Sequence, residues 1–130
     1  MSDITVYGAT GLVGQLVARF LASINAPSVT LAGRNRPVLA ALRDELNPHW
    51  DIAIAAADDA AAVERMVEGT KVLITVVGPY NLYGDHVVFA CARHGVDYVD
   101  LCGEVPFIRR SIDFHHATAQ STGARIVHSC

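Results

Sequence analysis

Apolar residues along this chain follow two spacings in turn. Short continuous runs, of the kind a strand buried on both faces needs, fall at Ile4–Tyr7, Ser28–Ala32, Asp51–Ala56, Lys71–Val77, Val96–Leu101 and Ala124–His128. Between them, apolar residues recur every three or four positions, as an amphipathic helix requires. Leu12, Val13, Leu16, Val17, Phe20, Leu21 and Ile24 make the first such stretch, and Val38, Leu39, Leu42 and Leu46 the second, opened by Pro37 and ended by Asn47-Pro48. A third runs from Asp59 to Glu68, with Asp58 as its predicted N-cap. A fourth carries Val87, Val88, Ala90 and Cys91 and is closed by Gly95; a fifth opens at Pro106, carries Phe107, Ile108, Ile112 and Phe114, and is closed by Gly123. Six strands alternating with five helices predict one α/β domain over residues 1–130, a doubly wound parallel sheet with helices on both faces.

The junction of the first strand and first helix reads Gly8-Ala9-Thr10-Gly11-Leu12-Val13-Gly14. Three glycines alone are a weak signal, but strand before and helix after supply the context of a Rossmann-type dinucleotide-binding turn. Gly8 suits a tight turn off the strand, Gly11 lets a diphosphate approach the backbone, and Gly14 lets the helix lie close on the strand. The first-turn N–H groups at Leu12 and Val13 are then expected to face the diphosphate. An ATP-type phosphate loop needs Gly-Lys-Ser/Thr where this chain has Gly14-Gln15-Leu16, so that reading fails.

The end of the second strand decides which dinucleotide is expected. NAD-type domains place a carboxylate there for the ribose 2′-hydroxyl. This chain has Gly33-Arg34-Asn35-Arg36, with the arginines 20 and 22 residues beyond Gly14. A guanidinium holds a phosphate bidentately, so the pattern points to NADP rather than NAD. Asp58, past the third strand, is a further expected contact, to the adenine. The fourth strand runs straight into Val77-Gly78-Pro79-Tyr80, and the sheet order predicted by the alternation puts that turn beside the glycine loop, near the middle of the dinucleotide. Either Tyr80 or Tyr83 is expected to touch the cofactor.

Composition removes several functions. The net charge is −3 and no basic cluster exceeds Arg109-Arg110, which argues against nucleic acid. The chain is 52% hydrophobic, but no apolar run approaches the ~20 residues of a bilayer span. Met1-Ser2-Asp3 leads directly into a strand, leaving no room for a signal peptide, and three unpatterned cysteines read as reduced thiols of a cytoplasmic protein. The six histidines show no metal-ligand spacing with carboxylates or thiols, so no metal site is expected.

The combination of Gly8-Ala9-Thr10-Gly11-x-x-Gly14, Leu31-Ala32-Gly33-Arg34-Asn35, Val77-Gly78-Pro79-Tyr80 with Tyr83-Gly84, and Asp97-Tyr98-Val99-Asp100-Leu101-x-Gly103-Glu104 resembles the N-terminal domain of the saccharopine dehydrogenase-like oxidoreductases, in the branch that includes trans-acting enoyl reductases. Cys102 departs from the threonine common there. The resemblance covers essentially the whole chain. It implies NAD(P) contacts at the glycine loop, at Arg34-Asn35 and at Gly78-Pro79-Tyr80. It also implies a polypeptide continuing past Cys130 into a second domain that supplies a small-molecule or lipid substrate site and contacts for a homodimer. No catalytic acid or base is readable; Asp100, Glu104 and His128, at carboxyl ends of strands, are candidates for lining the site. Gly-x-x-Gly-x-x-Gly is also at home in short-chain dehydrogenases, but their catalytic scheme is excluded for this chain, because the Tyr-x-x-x-Lys pair has no counterpart around Lys71, the only lysine. The alternative to an oxidoreductase is a non-catalytic module that senses NADP(H).

Overall fold

The computed structural model describes residues 1–130. Its strands are β1 (Ser2–Tyr7), β2 (Val29–Gly33), β3 (Asp51–Ile54), β4 (Thr70–Thr75), β5 (Asp97–Asp100) and β6 (Ile126–Val127). They form one parallel sheet in the order β3-β2-β1-β4-β5-β6. The helices are α1 (Leu12–Ser23), α2 (Arg36–Leu46), α3 (Ala60–Glu68), α4 (Tyr80–Tyr83), α5 (Asp85–His94) and α6 (Val105–Thr122). The doubly wound Rossmann sheet expected from the alternation is the one observed.

Each central strand feeds two cores, because successive side chains leave it on opposite faces. Val6 packs with Val29, Leu31, Leu39, Leu42 and Trp50 under α1 and α2. Tyr7, its neighbour, packs with Val63, Val67, Leu73, Val88, Tyr98 and Phe107 under α3, α5 and α6. Most of these side chains are almost fully buried, and each contributes roughly 1.5–3 kcal/mol relative to exposure. The chain leaves β1 on one side and β4 on the other, so loops diverge at their carboxyl ends and open a crevice there.

The two halves of the α1 face are unequal. Register carries Val6 onto Ile74, Ile74 onto Val99 and Val99 onto Val127. With α3, α5 and α6 all on the other face, this row runs out from under α1 to Val127, which is 46% exposed.

Several expectations are corrected. The first helix buries Gly14, Ala18 and Leu21, whereas Leu12 (82% exposed), Leu16 and Phe20 (62% exposed) form a second apolar stripe facing outward. Seven apolar positions over thirteen residues are more than one helix face holds, so periodicity alone could not say which stripe meets the sheet. Ile112 and Phe114 of the last helix are likewise exposed. The N-cap of α3 is Asp59, whose side chain accepts from Ala62 N–H at 3.0 Å, rather than Asp58. The single turn α4 is an addition to the five expected helices, since four residues after a proline carry no period. The fourth strand ends at Thr75, two residues early, and Val76 adds one more backbone bond, from its N–H to Tyr7 O at 3.0 Å.

Candidate functional site

The crevice between the β1 and β4 loops is a cleft of about 690 Å³. Its floor and near wall are Tyr7, Gly8, Thr10 and Gly11, its β2–β3 side is Gly33, Arg34, Ala56, Ala57 and Asp58, and its β4 side is Val76, Val77, Gly78 and Tyr83.

The glycine loop has the shape its residues predict. Gly8 turns off β1 with φ of +88°, and a side chain there would press on Val77 Cγ2 at 2.9 Å. A Cβ on Gly14 would stand 2.0 Å from Gly8 O, so the helix touches the strand backbone itself. At Gly11 a Cβ would meet only Gly8 O, at 3.5 Å, and its other surroundings are open. Gly11 is also the N-cap of α1 and has no side chain to cap with. The N–H groups of Leu12, Val13 and Gly14 therefore find no acceptor in the protein. By contrast, α2 and α3 are capped by Asn35, which accepts from Val38 N–H at 3.3 Å, and by Asp59. A twelve-residue helix left uncapped beside capped neighbours presents its partial positive charge to whatever enters the cleft.

Arg34 reaches both this cleft and the shallow adjoining surface formed with Asn35, Arg36 and Pro37. Tyr7 senses both charges at that end: burial pushes its phenol up to about 12, while Arg34 pulls it down and Asp58 raises it. Its hydroxyl donates to Ala55 O at 3.1 Å, fixing the cleft floor. Sequence reasoning missed Tyr7, whose pattern said only strand.

Across β1, Val77 and Gly78 line the cleft, but the two tyrosines divide. Tyr80 is only 8% exposed; its ring stacks on Phe107 and its hydroxyl donates to Thr75 O at 3.0 Å. Burial raises its pKa. Tyr83 is the tyrosine in the cleft wall. Glu104 does not face the cleft with a free carboxylate, because its oxygens accept from Tyr80 N–H at 2.7 Å and Asn81 N–H at 3.1 Å.

Asp100 and His128 are committed to a buried network. Asp100 accepts from Tyr98 Oη (2.6 Å), Cys102 N–H (2.9 Å) and Ser129 N–H (3.0 Å), and bonds His128 Nδ1 at 2.7 Å. His128 Nε2 meets the buried Ser111 Oγ at 3.0 Å. Burial would raise the Asp100 pKa, but the bonds from His128, Tyr98, Cys102 and Ser129 hold the carboxyl below its ordinary value. Burial pushes the Tyr98 phenol up, and its bond to Asp100 adds to the effect. The order Ser–His–Asp mimics a hydrolase triad, yet Ser111 is sealed from solvent, and the network ties α6 and β6 to β5.

One histidine meets carboxylates that its sequence spacing does not show. Glu64 and Glu68 of α3 and His94 of α5 bring three ligand-type atoms within 4.8 Å of one another. His94 Nε2 bonds Glu64 directly and lies 3.7 Å from Glu68, while Arg93 approaches Glu64 at 3.6 Å. This group borders a hollow of about 580 Å³ at the opposite, amino-terminal ends of the strands, among Lys71, Asp97 and Arg125. No helix is long and apolar enough to cross a membrane.

With this geometry in view, the chain compares with known proteins as follows. It is 45% identical to a trans-acting enoyl reductase of Mycobacterium ulcerans and 46% to one of Mycobacterium leprae, over 98% of this chain and 32% of each of those proteins. The chain thus spans about a third of the length of these curated relatives. Among solved structures, saccharopine dehydrogenase (L-Glu forming) from Saccharomyces cerevisiae superposes with a TM-score of 0.78 at 20% identity, covering 99% of this chain and 27% of that one. The Citrobacter triphenylmethane reductase complexed with NADP(H) gives 0.72 at 19% identity, covering 97% and 48%. The family described as the saccharopine dehydrogenase NADP binding domain matches residues 4–127. The chain belongs to that family, and its dinucleotide is NADP.

Proposed function

We propose that this chain is the NADP(H)-binding part of an oxidoreductase that reduces an enoyl group on a lipid-type or other organic substrate. The observation that carries the NADP(H) part of this reading is the uncapped start of α1, three unpaired N–H groups beside a cleft that Arg34 flanks.

The cleft fits a dinucleotide diphosphate because its near wall is bare backbone. Gly8, Thr10, Gly11 and the N–H groups of Leu12, Val13 and Gly14 would hold the diphosphate. Arg34, helped by Arg36, would take the 2′-phosphate, with Asn35 holding the start of α2 beneath them. Asp58 would meet the adenine end. Val77, Gly78 and Pro79 would border the middle and nicotinamide side, with Tyr83 as the ring that touches the cofactor and Tyr80 supporting the turn from below. Bound NADPH supplies a hydride; the protein's part is to orient the ring and exclude water.

The enoyl substrate is taken from the relatives' names, and the substrate site is assigned to a second domain of the kind their greater length allows. The outward stripe Leu12–Leu16–Phe20 and the row ending at Val127 are surfaces such a domain, or a second copy, would cover. The test is to supply the full-length polypeptide with NADPH and an α,β-unsaturated thioester. Loss of reduced-nicotinamide absorbance with formation of the saturated thioester is the expected result. NADPH binding without turnover of any enoyl or keto substrate would favour a non-catalytic sensing module instead.

A further inference from the structure

The β4 side of the cleft rests on α4, a single turn that cannot hold itself in place. Gly78 precedes this turn and Tyr83 ends it, and both line the cleft. Three residues of the α6 region, Glu104, Phe107 and Arg110, grip it at three-residue intervals. Glu104 takes the first two N–H groups of α4, at 2.7 and 3.1 Å. Phe107 stacks on Tyr80 with ring centroids 5.9 Å apart and closes over Gly84, where a Cβ would come within 2.5 Å of the ring. Arg110 donates to Asn81 Oδ1 at 3.0 Å, to Asn81 O at 3.3 Å and to Asp85 Oδ1 at 3.1 Å.

We propose that Glu104 is a positioning residue for the cofactor, setting the cleft wall across β1 from Arg34 by fixing the start of α4. The inference rests on the NADP(H) reading of the cleft. Both oxygens of Glu104 accept from main-chain donors, so the carboxylate acts through the wall rather than on a reacting atom. Hydrogen bonds from N–H groups to a carboxylate are stronger than those to a neutral acceptor, which suits a joint that must hold one short turn. Because Arg34 lies on the far side of β1, the wall that Glu104 sets faces the nicotinamide half of NADPH and not the adenosine half.

That asymmetry gives the test. The wild-type chain, Glu104→Ala and Glu104→Gln are titrated with NADPH and with adenosine 2′,5′-bisphosphate, which carries only the phosphorylated adenosine end, and thermal unfolding is followed in parallel. For Glu104→Ala, NADPH affinity is expected to fall about tenfold while the bisphosphate stays within about twofold. Glu104→Gln, which keeps one acceptor oxygen, recovers most of the NADPH affinity. Equal losses for both ligands, or an unchanged NADPH affinity, overturn the proposal. Should Glu104→Ala fail to fold, Arg110→Ala loosens the same turn from its other side and is held to the same split. A wild-type chain that binds neither ligand overturns the reading of the cleft itself, a result separate from any loss confined to the variants.

Discussion

The β1–α1 wall of the cleft is backbone laid on backbone, whereas the β4–α4 wall is propped by side chains of α6 and of Glu104, the residue at its N-cap. On the first wall the decisive feature is missing atoms: Gly14 leaves no room for a Cβ, and Gly11 leaves a gap that something else can fill. On the second, the decisive feature is reach: Glu104 and Arg110 cross more than twenty residues of sequence to hold Tyr80, Asn81 and Asp85. The glycine wall is shaped by close backbone contact within one strand–turn–helix unit, whereas the other wall depends on side chains from the second half of the chain, and it is the wall through which distant residues can tune the site.

The backbone wall tolerates added atoms least at Gly14. Gly14→Ala places a methyl 2.0 Å from Gly8 O, and the backbone of a central strand has nowhere to move. Destabilisation of about 3 kcal/mol or more is expected, read by denaturant unfolding. A loss below about 1 kcal/mol would mean that α1 is free to shift away from β1.

Next comes the support of the second half-sheet. Asp100→Asn removes a buried carboxylate that four donors share, and about 2–3 kcal/mol of stability should go with it. Asp100 also sets a direction in pH. Its folded pKa lies below its ordinary value, so the unfolded chain binds the proton more readily. The stability it supplies is present above the ordinary carboxylate range and is lost as pH falls from about 5 toward 2. Asp97, held low by its ion pair with Arg125, acts in the same direction. The Asp100→Asn variant should therefore lose less stability than the wild type over that range, and an identical loss in both would remove Asp100 from the account.

At the mouth of the cleft, Arg34→Ala should weaken NADPH binding by ~1–3 kcal/mol and leave NADH nearly unchanged, by parallel titration. The smallest effect expected is at Asn35. Asn35→Ala deletes the cap on Val38 N–H and should cost about 1 kcal/mol in unfolding free energy, with little change in cofactor affinity. A large affinity loss there would promote Asn35 from cap to contact.

What the sequence displays and what it hides follows the same division. The glycine loop, Arg34 and the sheet order are local or follow from alternation, so they are legible in the order of residues alone. Asp58 and Asp59 are neighbouring carboxylates ahead of one helix, and only backbone geometry shows that Asp59 takes the cap while Asp58 stays in the cleft wall. The roles of Tyr80 and Tyr83 are decided by Phe107, a residue of a different helix. His94 meets Glu64 across thirty positions, an encounter that no spacing rule contains. The outward stripe on α1 is a different case, since both its stripes are apolar and the sheet accepts only the one with glycine and alanine in it.

In the function proposed above, the uncapped start of α1 and Arg34 together form one NADP(H) site. Calorimetric titration of this chain and of Arg34→Ala, each with NADPH and NADH, tests it most directly. The chain is expected to bind NADPH about tenfold or more tighter than NADH, and the variant to lose that preference. Equal affinities in the wild type, or an equal loss for both cofactors in the variant, would contradict it.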